Sequence, residues 1–141
     1  MTVWTPVVVP VGNTSLQGWL ATWGPMLNGD TGVPVSSPLS STQSFAGGVQ
    51  DMAGFSDRSV QVTGTFGAAG NLAWEGSNDG VNYYVLSNPQ GTALNLTSAG
   101  LQQVTEAVLY ARPHVTGGDG TTSLTVSVFL RRTYQQPGFP T

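Results

Sequence analysis

The sequence predicts an all-β fold: an antiparallel β-sandwich or jelly roll, with one short N-terminal helix and extended terminal arms. Three observations predict it. Apolar and polar residues alternate in short runs from Arg58 to Arg132. Gly-rich turn clusters separate those runs, at GAAG (67–70), SNDG (77–80), SNPQG (87–91) and TGGDGTT (116–122). Period-2 runs at this spacing signal a sandwich or barrel, whose hairpins leave one face of each strand for the core. Third, a length of 141 residues is one domain's worth and can bury a sizeable core.

The elements follow in order. Residues 2–9, TVWTPVVV, read as an extended arm, with Pro6 and Pro10 keeping it at a sheet edge. Leu16, Trp19, Leu20 and Trp23 fall at i, i+3, i+4 and i+7, which predicts a short helix. Asn13 or Thr14 can cap its start and Gly24-Pro25 stops it. Its Trp stripe covers either the protein's own core or a neighbouring subunit. Residues 1–26 thus form an arm and helix.

Residues 27–57 are rich in Gly, Ser, Thr and Pro and show no lasting period, yet carry apolar anchors including Phe45 and Phe55. Such a loop is unusual inside a domain, and it reads as a segment packed on the body or on a partner. Residues 58–134 are the sandwich body. Val60 and Val62 share one face, as do Leu72 and Trp74, while Leu124, Val126, Val128 and Leu130 make the cleanest strand. Val108, Tyr110, Arg112 and His114 oppose Leu109, Ala111 and Val115. The tail, 135–141, is uncharged and holds two prolines, and it needs a surface to lie on.

Composition excludes several functions. Charged residues are 8% of the chain, against about 25% in ordinary soluble domains. Lys is absent, and the cations are Arg58, Arg112, Arg131 and Arg132. Four arginines and a net charge of −3 do not make the basic row that nucleic acid requires. Depleted charge fits a surface that meets protein. With no Cys there is no disulfide and no thiolate nucleophile or zinc ligand. No apolar run approaches the roughly 20 residues of a membrane span, and no signal peptide is recognised.

The stretch LAWEGSNDGVNYYVL poses the sharpest chemical question. Glu75 and Asp79 could be a calcium or glycosidase pair. Asn78-Asp79-Gly80 between alternating runs is instead a strong hairpin signal, because Gly accepts positive φ and Asn and Asp tolerate it. The hairpin reading is preferred, with Glu75 facing outward, opposite Trp74. His114 is the only histidine, with no nucleophile elbow and no second His for a metal. No catalytic residue, cofactor or metal ligand is assigned. Trp74, Tyr83 and Tyr84 could form an aromatic platform for sugars, although strand aromatics are more often core or interface. Arg131-Arg132 suit a partner carboxylate or the chain's own backbone.

The runs SDRSVQVTGTFG, WEGSNDGVNYYVL and YARPHVTGGDGTTSLTVSVFLRR, with NGDTG at 28–32, resemble small virion proteins of tailed bacteriophages that cement or decorate the head. The resemblance covers residues 28–132. It implies a sandwich or jelly-roll body on the outside of the major capsid protein shell, homo-oligomers (dimer or trimer) and no enzymatic activity. Such a protein is made in the host cytoplasm and resides on the capsid exterior. The candidate partner contacts are Trp4, Trp19, Trp23, Phe45, Phe55, Arg131, Arg132, Tyr134 and Phe139. A carbohydrate-binding module on a virion and a tail or baseplate component are the alternatives. No nucleic acid and no membrane is expected as a partner.

Overall fold

The computed structural model describes residues 3–11, 18–36, 44–45, 55–106 and 108–132. Among these residues thirteen strands build two sheets. In chain order they are β1 (Val3–Trp4), β2 (Val7–Val11), β3 (Gly18–Met26), β4 (Thr31–Gly32), β5 (Val35–Ser36), β6 (Ser44–Phe45) and β7 (Phe55–Thr65). There follow β8 (Asn71–Ser77), β9 (Tyr84–Val85), β10 (Asn95–Leu96), β11 (Gly100–Gln103), β12 (Tyr110–Gly117) and β13 (Ser123–Arg132). Sheet A runs β1-β4-β12-β8-β10, with β5 added to β12 and β9 to β8; sheet B runs β11-β7-β13-β3-β2-β6. Pairing is antiparallel except for β1 with β4 and β2 with β6. The fold is all-β, and no helix occurs among the described residues.

The inward faces follow the period-2 pattern. Sheet B contributes Val60, Val62, Leu124, Val126 and Val128; sheet A contributes Leu72, Trp74, Ala111 and Val115; all belong to one buried cluster. Each large apolar side chain withdrawn from water stabilises the fold by about 1.5–3 kcal/mol. Two tryptophans join the sheets. Trp23 on β3 and Trp74 on β8 are both fully buried.

The N-terminal helix is corrected. From Gly18 onward that stretch is β3, paired with both β13 and β2. Ala21 and Trp23 are buried and Leu20 and Thr22 half-buried, a strand's alternation. The helical spacing arose because Trp19 and Trp23 are two strand periods apart as well as one helical turn apart. Branched and aromatic side chains suit the pleated surface, and β13 supplies the partner for it. Residues 12–17, with the expected cap at Asn13 or Thr14, lie outside the described residues.

Gly24-Pro25, expected to end that helix, instead makes a bulge. Met26 pairs with Leu124 and Trp23 with Val126, so two residues oppose Thr125 alone. Gly24 has φ of 139°, and a Cβ there would stand 2.8 Å from the Leu124 carbonyl oxygen. Gly64 on β7, with φ of 117°, presses on the Ser123 carbonyl from the other side. Glycine at both positions lets β13 be gripped at one point by its two neighbours.

Part of the 27–57 segment belongs to this body. The Gly29 N–H donates to the Val115 carbonyl and the Val115 N–H to the Asp30 carbonyl, at 3.0 and 2.9 Å. The Asp30 side chain is 3% exposed, and its Oδ2 accepts from the Leu27 N–H at 2.8 Å and the Trp4 indole N–H at 3.0 Å. That carboxylate fastens β1 to the β3–β4 turn. The turn at 117–122 is tied by a second carboxylate. Asp119 accepts from the Ala68 and Thr121 N–H groups, each at 2.8 Å, and from the Thr121 hydroxyl at 2.6 Å. These donors, the Thr121 hydroxyl foremost, hold its carboxyl at about 2, well below the ordinary carboxylate value.

Candidate partner-binding surface

Sheet A turns one face to the core and one outward. On the outward face Glu75 of β8 pairs in register with Arg112 of β12 on one side and Val85 of β9 on the other. His114 lies two pairs further along β12, opposite Ala73 and on the same face as Arg112. The register brings three ionisable groups together from strands 37 or more residues apart in sequence. Glu75 lies opposite Trp74, as expected, but is only 9% exposed. A carboxylate so placed needs partners to offset its lost hydration. It has two: Arg112 Nε–H donates to Oε1 at 3.1 Å, and His114 Nδ1 lies 3.0 Å from Oε2.

The guanidinium of Arg112 also lies under the Tyr83 ring, 3.9 Å from its centroid. A cation over an aromatic face gains about 0.5–1 kcal/mol where exposed and more when desolvated. Burial pushes the Tyr83 phenol up, and the Arg112 charge partly opposes that. Arg112 is therefore clamped on two sides. The clamp uses Nε, so the two terminal nitrogens have no hydrogen-bond partner among the described residues. At this end of sheet A large apolar groups stand in water: Val85, in register with Glu75, is 40% exposed, and Val81 (77%), Tyr84 (71%) and Leu109 (47%) lie in the adjoining segments, Tyr84 opposite Gly76 on the other face of the sheet. Exposed apolar groups at the same end of a sheet as a clamped arginine and tyrosines have the composition of a protein interface.

The loop between β8 and β9, which carries Val81, is built by Asp79. Its carboxylate accepts from the Val81 and Asn82 N–H groups, the Asn82 amide and the Ser77 hydroxyl, each at 2.8 Å. The two backbone donors lead in pulling its carboxyl well below the usual range. Asp79 thus folds the hairpin, as the turn reading holds, and it does not meet Glu75. The Asn78 side chain accepts from the Leu109 N–H at 3.0 Å, tying the tip to the start of β12. An open groove of about 440 Å³ runs alongside, lined by residues including Asn78, Asn82, Tyr84 and Val108.

The arrangement has limited chemical reach. A carboxylate orienting an imidazole is two-thirds of a hydrolytic triad, but His114 bonds to Glu75 and to no described hydroxyl. Among the described residues no three His, Cys, Asp or Glu side chains are grouped to hold a metal. Among the described residues there is no helix long and apolar enough to cross a membrane, a statement that leaves β-barrels aside.

The residues expected to touch a partner fall in several places. Trp23 is fully buried in the core and bonds the Val33 carbonyl through its indole N–H at 3.0 Å, so it has no surface for a partner. Trp4 packs partly buried against the same core and bonds Asp30. Trp19 lies in β3, Phe45 in β6, Phe55 at the start of β7, and Arg131 and Arg132 at the end of β13. Tyr134 and Phe139 lie outside the described residues. Of the three platform aromatics, Trp74 is core, Tyr83 covers Arg112, and Tyr84 alone is widely exposed.

The Glu75–Arg112–His114 cluster was not anticipated. The signal was an outward acid on one alternating run and two outward cationic types on another, which only the β8–β12 register unites. The chain matches no protein-family model, no curated protein and no solved structure.

Proposed function

We propose that the protein is a non-enzymatic adhesion component of a phage virion, a cement or decoration protein that holds the outside of the major capsid protein shell through the outward face of sheet A. One observation carries this reading: Arg112, clamped by Glu75 and Tyr83, lies on the outward face of sheet A at the end of the sheet where Val81, Val85, Tyr84 and Leu109 are exposed. Pre-positioning an arginine lowers the entropy lost when it meets a carboxylate, and arginine and tyrosine dominate interface hot spots. The resemblance of residues 28–132 to head cement proteins and the low charge of the chain support the same reading. Co-sedimentation of the labelled protein with shells that lack it tests the proposal. Saturable pelleting is expected, weakened about tenfold or more by Arg112→Ala in a still-folded protein. No pelleting with shells overturns it.

A second reading has one observation in its favour. Tyr84 stands 71% exposed beside the groove lined by Asn78, Asp79 and Asn82, a setting suited to a sugar ring. Glycan-array binding that disappears in Tyr84→Ala would favour this carbohydrate-binding role, and an array without hits removes it. A tail or baseplate position for the same adhesive role is separated from a head position by labelling the protein in intact virions.

A further inference from the structure

One margin of sheet B is β11, whose strand neighbour is β7. The Val104 N–H donates to the Arg58 carbonyl at 3.0 Å, and Gln103 stands opposite Ser59. In an antiparallel pair, successive residues aim their backbone groups to alternate sides. Gly100 and Gln102 therefore aim theirs as Val104 does, toward β7, while Leu101 and Gln103 aim N–H and C=O away from it. Two residues beyond Gln103, the Thr105 N–H points the same way and donates to the Ser87 carbonyl at 2.9 Å. Leu101 and Gln103 have no such partner among the described residues, and both are exposed. The other marginal strands described, β1, β5, β6, β9 and β10, are two residues long. β11 has four, with neither charge nor proline. Short length, charge and proline are the usual devices that keep a sheet edge from pairing. Beside this edge lies a cleft of about 230 Å³, lined by Asn88, Asn95, Thr97 and Gln102 above the buried Leu94 and Leu96, with no ionisable group in its lining. Gln102 stands opposite core residue Val60, so its side chain turns to the inner side of sheet B, where the cleft is. Its Oε1 accepts from Asn88 Nδ2–H at 3.3 Å, and its Nε2 has no partner among the described residues.

We infer that the β11 edge takes up an extended, uncharged segment of a partner protein by strand addition. The edge selects the kind of occupant. Leu101 and Gln103 offer N–H and C=O groups in alternation at strand spacing, and another extended backbone is what matches that pattern. The cleft selects the side chain. In an added strand, the residue opposite Gln102 turns its side chain to the same face as Gln102, over the cleft. The Nε2 donors of Gln102 suit the oxygen of an Asn, Gln, Ser or Thr there. A charged side chain would lose hydration against a lining with no counter-charge. Residues on either side of it turn outward beside exposed Leu101, a setting that favours β-branched side chains. This edge belongs to sheet B, so the inference does not depend on what the outward face of sheet A binds.

Amide hydrogen exchange of the full chain, read by NMR, tests it. The probes are acetylated, amidated peptides Ser-Val-Thr-X-Thr-Val-Ser, with Asn, Gln, Thr, Lys or Glu as X. In the protein alone, the Leu101 and Gln103 amides should exchange faster than those of Gln102 and Val104, which are bonded to β7. The Asn, Gln and Thr peptides at saturation should slow Leu101 and Gln103 about tenfold or more, and the Lys and Glu peptides should bind about tenfold more weakly. The Asn peptide methylated at alternate backbone nitrogens should not bind. Leu101→Pro removes a donor that faces away from β7, a place where a sheet edge tolerates proline, and should abolish binding as read at Gln103. Gln102→Leu should weaken the Asn peptide about tenfold, and it serves if the proline variant folds poorly. The inference is overturned if no peptide of the series slows these amides at about 5 mM. It is equally overturned if the methylated peptide binds like its parent, if the Asn and Lys peptides bind alike, or if the folded variants bind like wild type.

Discussion

Trp23 and Trp74 meet edge to face between the two sheets, with ring centroids 5.7 Å apart and planes inclined at 67°. Their indole nitrogens fare differently. Trp23 Nε1–H donates to the Val33 carbonyl at 3.0 Å, whereas buried Trp74 Nε1 has no partner among the described residues. Phenylalanine in either place shrinks the ring, but only at Trp23 does it strand an acceptor. Trp23→Phe should therefore destabilise the protein more than Trp74→Phe, by about 1–3 kcal/mol. Urea denaturation of the two variants measures the difference, and equal midpoints would contradict the assignment.

Asp30 is the fastener of the first strand. Asp30→Ala leaves the Trp4 indole and the Leu27 amide without their acceptor, in a site where the carboxylate is 3% exposed. A loss of about 2–3 kcal/mol is expected, since an orphaned buried donor costs about 1–3 kcal/mol. Loosening of β1 should also shift the tryptophan emission of the folded protein to longer wavelength.

The turn carboxylates set the acid limit. Asp119 is held at about 2 in the folded protein, against an ordinary value of 3.8. A depressed acid favours the folded state above its unfolded value, and that contribution is lost as pH falls through the folded one. Glu106 is shifted in the same direction by the Ser87 hydroxyl and amide. Thermal midpoints should accordingly fall between about pH 4 and about pH 2. Asp119→Asn should show a shallower fall over that interval, and an undiminished slope would contradict the account.

Glu75 and Arg112 should be coupled. In a double-mutant cycle of Glu75→Gln and Arg112→Met, followed by urea denaturation, the interaction energy should be about 1 kcal/mol, because the pair is only partly desolvated. A coupling of zero would mean that Glu75 does not clamp the arginine.

The all-β, two-sheet body was legible because several of its long strands bury one face, which forces alternation. Val60 and Val62, Ala111 and Val115, and Leu124, Val126 and Val128 all lie inward. Asn78-Asp79-Gly80 was legible because backbone geometry at a tip selects those residue types. β3 misled because Trp19 and Trp23 satisfy both periods, and the partner strand that decides between them begins at Ser123, a hundred residues on. The Glu75–Arg112–His114 cluster was invisible for the same reason. Each residue's outward direction could be read from its own run, but which outward residues become neighbours depends on strand register. The fastening of Trp4 by Asp30 likewise joins residues 26 apart, through a loop whose composition carries no period.

The claim that this protein works by adhesion is tested most directly by heating shells that lack it, with and without added protein, and recording the temperature at which they disrupt. The account predicts a higher disruption temperature that saturates with added protein and is lost with Arg112→Ala. A disruption temperature unchanged at every concentration of the folded wild-type protein would contradict it.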